Sequence, residues 1–175
     1  HHIELFHDPP ILDAIVERFD LYPESGEGPI HGLRKQIAVH RFLGFDYVKT
    51  EPVGMHWPMR WELADDTAEE TAHRQGRSWM NEHTGPVTNW EEFEQWAWPD
   101  PDVDAKYHVM EWAERNVPDD MCLIGGNLGH FAEYLSWLMG YETLCFALYE
   151  QRDLVEAIAD RLLNIYRRQL RRMLE

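Results

Sequence analysis

His130 and Glu133 stand three residues apart in a stretch whose apolar residues Phe131, Tyr134, Leu135 and Leu138 follow helical spacing. An imidazole and a carboxylate at that spacing share one edge of a helix and can work as an acid/base pair. Trp137, seven residues after His130, falls on the same edge. Just upstream, Gly125 and Gly126 close an apolar run and, with Asn127, lead into a helix starting near Gly129. Glycines there allow close backbone approach, and the first N–H groups of the helix are open to an anionic group. The Gly-Gly-Asn-Leu-Gly run lacks the lysine of a phosphate loop. The chemistry indicated is proton transfer on a small anionic substrate.

Metal chemistry finds less support in the spacing. His31, His40, His73, His83 and His108 show no ligand spacing with one another, and Cys122 and Cys145 sit in apolar sequence as expected of core thiols. Four late arginines, Arg167, Arg168, Arg171 and Arg172, are open to two readings. They suit a phosphate or tetrapyrrole-carboxylate site, and equally a solvated helix end whose charge complements the helix dipole, which is the preferred reading.

These residues need elements to position them. Residues 9 to 21 open with two prolines and carry apolar residues at helical spacing. A second helix, with Leu33, Ile37, Val39 and Phe42, ends at Gly44, and a strand follows over Phe45 to Thr50. Between residues 55 and 88 alternating Met59, Trp61 and Leu63, an Asp65-Asp66 turn and a Gln75-Gly76 turn predict an inserted antiparallel meander. Thr88 or Asn89 caps a short helix with Trp90, Phe93 and Trp96, and a long helix is expected over about 102 to 116, closed by Pro118. The run Asp120 to Gly126 reads as a strand buried on both faces. Helices then follow over 129–140, 142–150 and 151 to the end, the last with a stripe of Leu154, Ile158, Leu162, Ile165 and Tyr166. Strand and helix alternate as in α/β proteins.

Composition narrows the partners. The 175 residues carry a formal charge of −16, which repels nucleic-acid phosphates and anionic membrane surfaces. No apolar run reaches the roughly 18 residues of a membrane span, and no signal peptide is evident. The expected setting is the cytoplasm, without nucleic acid or membrane as partner.

The string DMCLIGGNLGHFAEYLSWLMGY from Asp120 to Tyr141, with NWEEFEQWAWPDPD before it and LVEAIADRLL after it, resembles the uroporphyrinogen decarboxylase superfamily, which also holds the cobamide-dependent methyltransferases. The resemblance begins with the helix before Gly44-Phe45-Asp46-Tyr47-Val48 and continues through most of the chain. It implies a (β/α)8 TIM barrel, of which residues 1–175 would form about the N-terminal half as a single α/β domain, since such barrels take about 250 residues. The absence of an initial methionine and the end inside a helical stretch agree with that expectation.

The resemblance also implies roles. Glu51, beyond the first strand and preferred over Asp46, takes the acidic role at the barrel's C-terminal face. His130 and Glu133 stand at the barrel mouth, Tyr134 lies near a family tyrosine that contacts substrate, and Gly125, Gly126 and Asn127 meet its anionic group. His56 and Trp57 line the pocket or cover the barrel end. The family's Arg-Gln-Ala-Gly-Arg decarboxylase signature has only Arg74-Gln75-Gly76-Arg77 as a counterpart, one residue short and after the strand rather than before it, where a hairpin turn is the preferred reading. Corrinoid-linked methyl transfer therefore leads, with tetrapyrrole decarboxylation second. A zinc thiolate site and a corrinoid would come through the missing C-terminal half, leaving the isolated chain inactive, whereas a decarboxylase needs no cofactor. The partners implied are a small anionic substrate or a corrinoid protein, with a homodimer kept open. From another class, a non-catalytic small-molecule binding protein fits the same composition.

Overall fold

The computed structural model describes residues 8–22, 25–55, 57–59, 61–63, 78–125 and 130–175. Two compact units divide the described residues: 8–55, 102–125 and 171–175 fall in the first, 57–101 and 130–170 in the second.

The first unit begins with α1 (Pro9–Phe19), whose prolines occupy the first turn, where no backbone donor is lost. It packs on α2 (Pro29–Leu43) through Phe19 and Phe42, with ring centroids 4.6 Å apart, and through an ion pair of Lys35 with Asp13. At the end of α2 Gly44 takes a left-handed conformation, φ 81°. The chain then enters β1 (Tyr47–Thr50), which pairs in parallel with β4 (Cys122–Gly125), Thr50 standing opposite Gly125. Between the two strands come a single 3-10 turn, Asp104–Lys106, and α4 (His108–Asn116). Leu33, Ile37, Val48, Val109 and Ala113 form the core between α2, β1 and α4. Burial of each large aliphatic side chain there contributes roughly 1.5–3 kcal/mol.

The second unit is helical around one core. Asn89 caps α3 (Trp90–Gln95), its side chain accepting from the Glu92 N–H at 3.0 Å, while the Glu92 carboxylate accepts from the N–H and hydroxyl of Thr88 at 2.7 and 2.8 Å. The helices α5 (Phe131–Met139) and α6 (Tyr141–Glu150) meet at Gly140, whose φ of 80° and lack of a β-carbon allow the chain to turn against the backbone of Thr84. The longest element, α7 (Arg152–Leu174), buries Leu154, Ile158 and Leu162 completely against Val87, Phe93, Leu138, Met139 and Ala147, and its last turn belongs to the first unit. In this unit β2 (Trp61–Leu63) pairs antiparallel with β3 (Ser78–Met80).

The expected half barrel with an inserted meander is overturned. A barrel strand needs a neighbour on each side, yet among the described residues β1 and β4 have only each other and helix predominates. Among the described residues the antiparallel segment is one pair of three-residue strands rather than a meander. The expected turns at Asp65-Asp66 and Gln75-Gly76 lie outside the described residues.

Three local expectations change for the same kind of reason. With only β1 paired to it among the described residues, β4 is largely exposed rather than buried on both faces, Ile124 being 40% accessible. Cys122 and Cys145 are exposed rather than core thiols, since they lie on that strand and on the outer side of α6. The helix expected over 102–116 forms only from His108, because the chain first closes the 3-10 turn at 104–106.

Candidate functional site

In the second unit α5 begins at His130, the residue before its first turn, and places Glu133 one turn on. His130 Nδ1 lies 3.4 Å from Glu133 Oε2, so the spacing of three residues brings imidazole and carboxylate into one pair. Both are open to solvent, their side chains 84% and 45% accessible. An exposed pair of this kind adds little to stability and lies open to a ligand.

Beside this pair α5 and α7 present an aromatic wall. Tyr134 meets Trp57 edge to face at 4.8 Å between centroids and the tilted ring of Trp137 at 5.0 Å. Tyr166, from α7, stands 6.2 Å from Tyr134, 6.3 Å from Phe131 and 6.4 Å from Trp57, in each case steeply inclined. Such geometry is the favoured edge-to-face packing of aromatic quadrupoles. Tyr134 is thus both a core aromatic and a member of the wall, and Trp57 packs against the core from a non-helical segment.

Sequence reading placed Tyr166 in the buried stripe of α7 and gave it no further part. It is buried, with 8% of its surface accessible, but its hydroxyl has no hydrogen-bond partner among the described residues. Burial drives its phenol far above the ordinary tyrosine range, and Tyr134 and the Glu133 charge push the same way. The signal in the sequence was a single hydroxyl among aliphatic residues at 154, 158, 162 and 165.

In the first unit Glu51 directly follows Thr50 and stands at the C-terminal end of the parallel pair, the end at which ligands of α/β proteins gather. Its surface is exposed, yet desolvation by the protein on its inner side raises its carboxyl above the usual range. Gly125, opposite Thr50, ends β4 at the same edge. A β-carbon there would meet only the methyl ends of Met110 and Met173 at 3.5 and 3.9 Å, an ordinary contact. Asp46 lies at the other end of β1, its carbonyl accepting the Cys122 N–H at 2.6 Å. Gly126, Asn127 and His56 lie outside the described residues.

The structure therefore joins His130, Glu133, Tyr134 and Trp57 in the second unit, and Glu51 and Gly125 in the first. Two of the late arginines are tied to carboxylates: Arg168 to Asp100 at 3.1 Å, and Arg172 to Asp104 and, at 3.1 Å, to Glu175. Among the described residues no group of three or more His, Cys, Asp or Glu is placed to hold a metal ion, and no helix is long and apolar enough to cross a membrane. No family model matches the chain, and no curated protein or solved structure does so.

Proposed function

We propose that the chain is part of a cytoplasmic enzyme related in its chemistry to the uroporphyrinogen decarboxylase superfamily, and that its reaction is corrinoid-linked methyl transfer. The proposal concerns the reaction and not a closed barrel. It starts from the resemblance over Asp120 to Tyr141. The observation that carries it is the His130–Glu133 pair on the edge of the wall formed by Trp57, Tyr134 and Tyr166.

A wall of aromatic side chains suits the flat, largely apolar face of a macrocycle. In methyl transfer the bond between the methyl carbon and its carrier heteroatom breaks, and the electron pair stays on the heteroatom. That atom needs a proton, which His130 supplies while the Glu133 carboxylate stands 3.4 Å from its Nδ1. The corrinoid is the second substrate, the nucleophile that takes up the methyl carbon, and a corrinoid protein is the partner that would deliver it. The described residues do not fit a zinc site, so no step is assigned to zinc.

Glu51 favours a second reading, tetrapyrrole decarboxylation. A carboxyl whose pKa is raised by desolvation holds its proton closer to neutrality and can deliver it to the carbon that has lost carbon dioxide.

Cob(I)alamin, kept reduced and incubated with the protein and a methyl ether or methyl thioether donor, tests the first reading through its visible spectrum; a gain of the methyl-cobalt absorption is expected. Uroporphyrinogen III in a parallel sample tests the second, through loss of side-chain carboxylates. Demethylation absent with decarboxylation present hands the site to the second reading. Neither turnover nor binding of either compound overturns both.

A further inference from the structure

We infer that Tyr166 is a ligand-binding residue whose phenol donates a hydrogen bond to a carbonyl-bearing side chain at the rim of a tetrapyrrole-derived ring held on the aromatic wall. The inference rests on the functional reading above and goes beyond it by naming the polar contact that orients the ring.

A buried hydroxyl without a partner is costly, and tyrosines in protein interiors ordinarily find one. The Tyr166 hydroxyl has none among the described residues, although the ring is more than nine-tenths buried. Its neighbours explain why: Trp57, Phe131 and Tyr134 present ring edges and faces to it, and none of these contacts is a hydrogen bond. The tyrosine thus brings a donor into an apolar wall that does not use it.

Trp57, whose ring centroid lies 6.4 Å from that of Tyr166, is the ring of this group that a non-helical segment carries, the others being fixed on α5 and α7. Displacing a side chain from irregular backbone disturbs fewer hydrogen bonds than shifting a helix. A flat ring entering against Tyr134 in place of Trp57 would bring its rim to the Tyr166 hydroxyl. Corrinoids carry amides at that rim and uroporphyrins carry carboxylates, and both offer a carbonyl oxygen as acceptor. Burial, followed by the nearby Tyr134 and Glu133, keeps the phenol in its protonated, donating form.

Quenching of tryptophan fluorescence by methylcobalamin, and separately by uroporphyrin III, measures binding to the wild type and to Tyr166→Phe, with thermal melting of both proteins alongside. The expected result is an affinity about tenfold lower in Tyr166→Phe for one of the two probes, with a melting temperature unchanged or higher because no hydrogen bond is lost in the free protein. The probe affected identifies the acceptor as amide or carboxylate. Unchanged affinity in the variant overturns the role of Tyr166 and leaves the functional reading in place. A lowered melting temperature shows that the hydroxyl is already satisfied in the free protein, which also overturns the role. Failure of the wild type to bind either probe overturns the functional reading and this inference together.

Discussion

Gly85 lies against the carbonyl of Leu138 so closely that a β-carbon at position 85 would overlap it, and two residues later the Val87 N–H donates to that same carbonyl at 2.8 Å. The carbonyl sits near the end of α5, where the last backbone acceptors of a helix have no partner within it. The loop from Thr84 to Val87 therefore satisfies the helix end and brings Val87 fully into the core beside Leu138 and Met139.

Gly85→Ala is expected to destabilise the protein by about 1–3 kcal/mol, since the obstacle is backbone and the loop must shift away from it. Urea denaturation measures the loss. A variant as stable as the wild type would show that the Val87 bond tolerates displacement of the loop.

Glu51 gives a pH dependence with a definite sign. Its folded-state pKa is raised by desolvation, while the unfolded chain titrates near the ordinary glutamate value of about 4.3. Between those two values the native state binds more protons than the unfolded state, so this group's contribution to stability falls as pH rises through that window. Glu51→Gln removes the fall. The variant is expected to match the wild type below the ordinary carboxylate range and to exceed it at neutral pH, by a modest amount because the residue is partly exposed. Denaturation midpoints at pH 3 and pH 7 would reverse the assignment if the variant were the less stable at neutrality.

Legibility in the sequence followed the range over which each signal acts. Helices with local markers were readable: Pro9 and Pro10 open α1, Gly44 closes α2, Asn89 caps α3, Gly140 separates α5 from α6, and the stripe of α7 is buried as its spacing requires. The strands over Tyr47–Thr50 and Cys122–Gly125 were readable too. How many neighbours each would have was not, because a run such as Leu123-Ile124 is apolar whether one face or two are covered. The barrel expectation and the burial of Cys122 failed on that point. Within the site, the pairing of His130 with Glu133 was legible because both lie on one helix, whereas the approach of Tyr166 to Tyr134 joins two helices and leaves no mark in local spacing.

His40 illustrates the same distinction from the stability side. Its spacing gave it no role, yet it is 2% accessible and its Nδ1 donates to the Tyr47 carbonyl at 2.9 Å, with the rings of Phe45 and Tyr47 inclined against it at 5.3 and 5.4 Å. The bond ties the end of α2 to the start of β1 across the turn at Gly44. His40→Ala removes it and opens a cavity, for an expected loss of about 2–4 kcal/mol by denaturant titration. His40→Asn keeps a donor of shorter reach and should recover part of that loss; no recovery would assign the effect to ring packing alone.

The acid/base pair makes the opposite prediction, a large effect on turnover and almost none on folding. With side chains 84% and 45% accessible, His130 and Glu133 stabilise the protein little, so His130→Ala and Glu133→Gln should each leave the unfolding free energy within about 0.5 kcal/mol of the wild type. If His130 delivers the proton to the departing heteroatom, its removal should lower methyl transfer from a methyl ether or thioether donor to cob(I)alamin by about 10²–10⁴-fold, the usual contribution of general acid catalysis. Glu133→Gln should act in the same direction and less strongly, because the imidazole remains and only its carboxylate neighbour is lost. A methyl donor whose leaving group needs no proton, such as a methylated sulfonium, should be nearly indifferent to both substitutions. Equal losses with both donors would place the pair in binding rather than in proton transfer, and full activity in His130→Ala would remove it from the reaction.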